Sequence, residues 1–264
     1  MTKSLMAGSV ALALSMASAA ATARDVVSLK FSDGRPDVKG VEAVNQVLHT
    51  VGINVTTVDI PAAVRPILET YQTRALDQKE QAELIKAFNL TKEQLLEQIK
   101  LAGRQPSVAG GGVMTEETGV GPYPKVYDMK ALDKATHKHV LEKYGRLHIN
   151  STDEGDDIDE VMTVVNGGPF RWGFTLKDGT VARFEVDYVG LNDKAVRVSY
   201  HGKGMHAGIM DAKEGMIVAF AHGPESFTMR YDAPKKDIPH EELLGTNPWI
   251  DFKGDYPTVL DKAH

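Results

Sequence analysis

The chain contains no cysteine. That absence excludes disulfide staples, zinc–thiolate centres and a cysteine nucleophile, so any metal site must be built from His, Asp and Glu, and stability must come from burial. Positive charge is in deficit too: 30 Lys and Arg against 36 Asp and Glu leave a net charge of −6, which argues against nucleic acid or an anionic membrane as a partner. Phosphate-cradling loops are missing, because Gly110, Gly111 and Gly112 are not followed by Lys and do not sit between a strand and a helix. A Gly-x-Ser-x-Gly nucleophile elbow is absent as well.

The one long apolar run lies at the start. Lys3 supplies a positive charge, Leu5 to Met16 are apolar or small, and Ala21-Thr22-Ala23 stands ahead of Arg24 as a small-x-small cleavage site. Residues 1–23 therefore read as a secretory signal peptide, too short to span a bilayer. With no cysteine to lipidate, the mature chain is expected to be soluble, without a stable membrane anchor, and periplasmic or secreted. Loss of Lys3 makes it one charge more negative.

The remainder is long enough for one large or two modest domains. Residues 24–112 read as a small helical or α/β region: β-type runs at Asp25 to Phe31 and Ile53 to Ile60 flank a helical pattern from Val41 to Val51. Leu84, Ile85 and Phe88, then Leu95, Leu96 and Ile99, mark two amphipathic helices, with Thr91 and Gln94 as a capping box between them and Gly103 as a stop. Glycine and proline from Pro106 to Pro124 suggest a linker, and a boundary is placed at residue 112. From Val161 to Tyr231 six short runs rich in β-branched and aromatic residues alternate with turn signals such as Asp178-Gly179, as in an all-β barrel or sandwich. The fold class is α+β, with residues 113–264 forming the barrel and its tail.

Gly145, His148 and Asn150, an acidic loop, then Glu160 and Gly167 resemble the first motif of the cupin superfamily, in which a Gly, a His-x-His pair, a Glu and a second Gly follow one another. Glu160 and Gly167 stand in register, with six residues between them. The turn His201 to His206 ahead of Met216 to Ala221 resembles the second motif, with His206 at its ligand position. The resemblance implies a double-stranded β-helix barrel, a divalent transition metal held by His148, Glu160 and His206, and a tendency to pair as homodimers. Asn150 stands where the family has its second histidine, and the gap from His148 to Glu160 is longer than the family pattern. Asp157-Ile158-Asp159 and Gly204-Met205-His206 also resemble the 4-hydroxylaminobenzoate lyase type of cupin, an alignment on which Asp157 would be the acidic ligand.

Independently of that resemblance, two imidazoles and a carboxylate form a donor set suited to a transition metal, with positions left open for water and substrate. Strand parity makes Glu160 and Asp157 rivals: Glu160, Met162 and Val164 share one face, and Asp157, Asp159, Val161, Thr163 and Val165 share the other. His201 and Asp157 are the candidates for handling protons. The alternating rings Phe170, Trp172 and Phe174 either line an apolar pocket or, the commoner arrangement, form the surface on which the N-terminal helices pack. His137 and His139 lie two apart on a helix, about 200° apart around its axis, and read as a solvated pair. Two functions follow: a metal-dependent enzyme acting on a small organic molecule, aromatic ones included, by lyase, isomerase or oxygenase chemistry, or a non-catalytic binding protein that uses the barrel mouth.

Overall fold

The β-branched runs pair into two five-stranded sheets. A computed structural model describes residues 26–106, 115–116, 121–233 and 237–264; the expected signal peptide and Gly110 to Gly112 lie outside them. In chain order the strands are β1 (Val27–Phe31), β2 (Val38–Lys39), β3 (Asn54–Val58), β4 (Thr115–Glu116), β5 (Gly121–Pro122), β6 (Lys125–Asp128), β7 (Ile149–Ser151), β8 (Asp159–Gly167), β9 (Phe170–Thr175), β10 (Val181–Val186), β11 (Ala195–His201), β12 (His206–Ile209), β13 (Gly215–His222), β14 (Ser226–Arg230), β15 (Ile250–Asp251) and β16 (Thr258–Val259). The helices are α1 (Val41–Leu48), α2 (Arg65–Tyr71), α3 (Gln78–Ala87), α4 (Lys92–Leu101) and α5 (Lys134–Tyr144). None of the described helices is long and apolar enough to cross a membrane.

One sheet runs β12-β9-β10-β1-β2 and the other β3-β11-β8-β13-β6. The alternation of each strand sorts its side chains between two apolar layers. Phe170, Trp172, Phe174 and Phe184 of the first sheet meet Met162, Val164, Val196 and Val198 of the second in a shared core. The odd positions of β8, Val161 and Val165, face the other way and pack under Leu68, Leu84, Leu95 and Ile99 of α2, α3 and α4. On the far side of the first sheet, Val181, Ala207 and Ile209 are covered by Leu141 of α5 and by Trp249 and Ile250 of the tail.

Two expectations change here. Residues 24–112 do not form a separate layer: β1 pairs with β10 and β3 with β11, so both sheets are built from strands on either side of residue 112. The rings of Phe170, Trp172 and Phe174 face the inter-sheet core, which also takes in Val44 and Leu48 of α1, and not α2, α3 and α4. The reason is topological, since β3 forms the edge of the second sheet and the helices that follow it lie over that sheet.

Local signals act as anticipated. Thr91 and Gln94 form a reciprocal capping box at the start of α4, and Asp77 with Glu80 forms another at α3. Gly103 closes α4 with φ +73°. Gly167 is the tight point: its φ is +74°, and a Cβ there would lie 2.4 Å from the Cα of Gly215, beside the register shift between β8 and β13.

Candidate functional site

Four positions of the cupin-like motifs meet between the sheets. β8 presents Glu160 from the middle of the second sheet, and β12 presents His206 from the edge of the first. His148, just ahead of β7, is tied to His206 by reciprocal backbone hydrogen bonds of 2.8 and 3.0 Å. The two imidazole centroids are 4.5 Å apart. Asn150, next on β7, donates from Nδ2 to Glu160 Oε1 at 3.1 Å and lies 3.3 Å from His206 Nε2. His206 Nε2 is 3.4 Å from Glu160 Oε2.

The tautomers follow from the partners. His148 Nδ1 lies 2.7 Å from the Arg146 carbonyl and His206 Nδ1 lies 2.7 Å from the Gly204 carbonyl. A carbonyl only accepts, so each Nδ1 carries the hydrogen and each Nε2 keeps a lone pair, the arrangement that orients metal-ligating histidines. All four residues are buried. Burial and the adjacent His206 ring push the His148 imidazole well below its usual pKa, so it stays neutral. Burial, with Glu160 nearby, pushes the Tyr200 phenol well above its usual range, and burial does the same for Tyr123; both remain neutral hydroxyls.

The cavity these groups line is about 50 Å³, lined also by Trp172, Tyr123, Tyr127 and three thioethers, those of Met162, Met210 and Met229. That is room for an ion or a few waters. Glu160 Oε2 and Asn150 Oδ1 are buried here without a hydrogen-bond partner. Two imidazole nitrogens and an unsatisfied carboxylate oxygen are the donors a divalent cation takes, so the set fits in kind. Among the described residues, however, no three His, Cys, Asp or Glu side chains stand at ligating distances of one point. The Asn150 amide occupies the gap between Glu160 and His206.

His201 and Asp157 lie elsewhere. His201 Nδ1 donates to Asp157 Oδ2 at 2.8 Å, and both line a second, open cavity of about 760 Å³ at one end of the sheets. The two cavities share a wall, the turn from Gly202 to His206: Gly204 and Met205 face the large one and His206 the small one. Asp157 is thus engaged with His201, and Glu160 is the carboxylate beside His148 and His206. His137 is half-buried against Tyr256, whereas His139 is exposed; the two point apart, but only one is solvated. His222 is buried 3.4 Å from Asp159 Oδ2.

Arg104 is the site residue that reading the sequence misses. It stands alone after the α4 stop, and its partners, Asp159 and Ser199, are 55 and 95 residues away. No local spacing signals such a contact.

No family model matches the chain, and no curated protein matches it. Among solved structures, an acireductone dioxygenase from Bacillus anthracis, determined with a cadmium ion in its active centre, superposes with a TM-score of 0.50 at 15% sequence identity, over 77% of this chain and 96% of that one. At that identity the likeness speaks for the fold alone: this chain mixes helices with antiparallel sheets, and its structural neighbour has a cupin fold.

Proposed function

We propose that this chain is a metal-dependent cupin enzyme acting on a small organic molecule, with His148, Glu160 and His206 as the ligands of one divalent transition metal. The observation that supports it most is the convergence of His148, Asn150, Glu160 and His206 in one buried cavity, where Glu160 Oε2 makes no hydrogen bond and has only His206 Nε2 beside it at 3.4 Å. A buried carboxylate oxygen without a donor costs free energy, and a cation would offset it. When bound, such a metal would supply Lewis-acid or redox chemistry, compatible with the lyase, isomerase and oxygenase classes.

The surrounding residues do the rest. The Arg146 and Gly204 carbonyls accept the Nδ1 hydrogens and turn both Nε2 atoms toward the cavity. Asn150 donates to Glu160 and holds its carboxylate in place. Trp172 and the methionines make the rest of the lining apolar. The chain resembles an exported protein at residues 1–23, and we place the mature enzyme outside the cytoplasm, starting at Arg24; the intact mass of protein from a native-like host checks this.

Elemental analysis of protein purified without tag or chelator should find about one transition-metal equivalent per chain, lost in the His148→Ala, His206→Ala double variant. Protein that is metal-free and cannot be loaded with Fe, Mn, Zn, Ni or Cu would leave the binding-protein reading in its place.

A further inference from the structure

We propose that the larger cavity is a second, separate site, in which the His201–Asp157 pair accepts a proton from a bound small organic acid. It does not rest on the metal reading, because neither side chain is hydrogen-bonded or ion-paired to His148, Glu160 or His206.

The pair is built as a base. Asp157 Oδ2 accepts the His201 Nδ1–H at 2.8 Å, while its Oδ1 accepts the backbone N–H groups of Ile158 at 2.8 Å and Lys203 at 2.7 Å. Three donors fix the carboxylate, the carboxylate fixes the imidazole tautomer, and Nε2 is left as an acceptor next to a carboxylate that stabilises the imidazolium. The His201 side chain is 28% exposed and lines the cavity.

Gly204 shows that the open face of Nε2 is part of the design. Its φ is not in the left-handed region, so the backbone does not demand glycine there. A Cβ at this position would lie 2.7 Å from His201 Nε2 and 3.0 Å from Cδ2, so any larger residue would press on the basic nitrogen.

The remaining lining suits an organic acid. Ile53, Leu176 and Met205 give an apolar floor, and a cavity of about 760 Å³ falls within the range of small-molecule pockets. Arg104, nine-tenths buried, uses its terminal nitrogens on Asp159 and Ser199, which leaves a buried Nε–H without an acceptor. Lys177 and Lys203 add positive charge; of the acids, Asp237 is paired with Lys203 and Asp157 with His201, and Asp156 lies at the rim. The ligand's carboxylate is placed at Arg104 and Lys177. Its O–H, N–H or C–H proton passes to His201 Nε2, leaving the conjugate base beside the imidazolium, and the reverse transfer restores both.

The test uses the mature protein and diethyl pyrocarbonate, which acylates neutral, accessible imidazoles, with modification followed residue by residue by peptide mass spectrometry. His201 should react about as fast as exposed His139, with or without chelator. Benzoate, the probe carboxylate, should slow His201 by about tenfold and leave His139 unchanged; Gly204→Ala, with an unaltered circular dichroism spectrum, should slow it by a similar factor. An unreactive His201 in the wild-type protein overturns the base, and failure of benzoate to protect it overturns the acid site, whether or not Gly204→Ala folds.

Discussion

The two cavities treat their histidines in opposite ways. In the enclosed one, His148 and His206 each give the Nδ1 hydrogen to a backbone carbonyl, which orients the ring and stays neutral. In the open one, His201 gives it to a carboxylate held by two further N–H groups. A ligand must remain unprotonated to bind a cation, whereas a base must be able to hold the proton it takes, and a carboxylate partner carries a counter-charge that a carbonyl lacks. The sizes agree with this division, about 50 Å³ against about 760 Å³.

The largest effect is expected at Arg104, where the open cavity meets the core. Its partner Asp159 is fully buried, and removing one member of a buried ion pair costs about 3–5 kcal/mol because the remaining charge loses its compensation. Arg104→Ala should therefore lower the urea midpoint sharply, while Arg104→Met with Asp159→Leu should recover most of the loss. If Arg104→Ala is as stable as the wild type, the guanidinium belongs to the cavity rim and not to the fold.

Next comes Asn150, which stands where the cupin pattern has a histidine. Asn150→His would replace the amide lying between Glu160 and His206 by a third imidazole. Metal affinity, measured by competition with a chromophoric chelator, should rise by about tenfold, roughly 1.4 kcal/mol. An unchanged affinity would mean that the metal, if bound, sits away from position 150, and the enclosed cavity would lose its assignment.

A similar but pH-dependent effect belongs to His148. Its folded-state pKa lies well below the ordinary 6.5 because of burial and the His206 ring. Below pH 6.5 the unfolded chain binds a proton that the folded chain does not, so metal-free protein should lose stability as pH falls, by up to about 1 kcal/mol per unit. Denaturation from pH 7 to pH 5 should show a shallower slope for His148→Gln than for the wild type.

What was legible in the sequence follows the range of the interactions. β8, β9, β10, β11 and β13 announce themselves because alternation is local, and parity along β8 alone separates Glu160 from Asp157. The three residues of β7 and the four of β12 are too short to show a period, and they exist because β7 pairs with β14 and β12 with β9, strands distant in sequence. The cupin-like spacing singles out His148, His206 and Glu160 from the sequence. It could not show that Asp157 serves His201 in another cavity, since that depends on where the turn from Gly202 to His206 lies. Arg104 was invisible for the same reason: its role is set by Asp159, on a strand it does not neighbour in sequence.

The smallest effect is expected at Lys203, and it bears on whether the open cavity is shaped by its rim. The Lys203 ammonium lies 2.7 Å from Asp237, with the two side chains 25% and 47% exposed. An ion pair so accessible to water contributes about 0–1 kcal/mol. The part of Lys203 that matters to the His201–Asp157 pair is its backbone N–H, which every substitution but proline retains. Lys203→Ala should accordingly leave the urea midpoint nearly unchanged and His201 as reactive as before, while weakening benzoate protection by no more than a few fold through loss of one positive charge. A large drop in stability would show instead that the salt link to Asp237 clamps the tail over the cavity, and the open cavity would then owe its shape to that clamp and not to the ends of the two sheets.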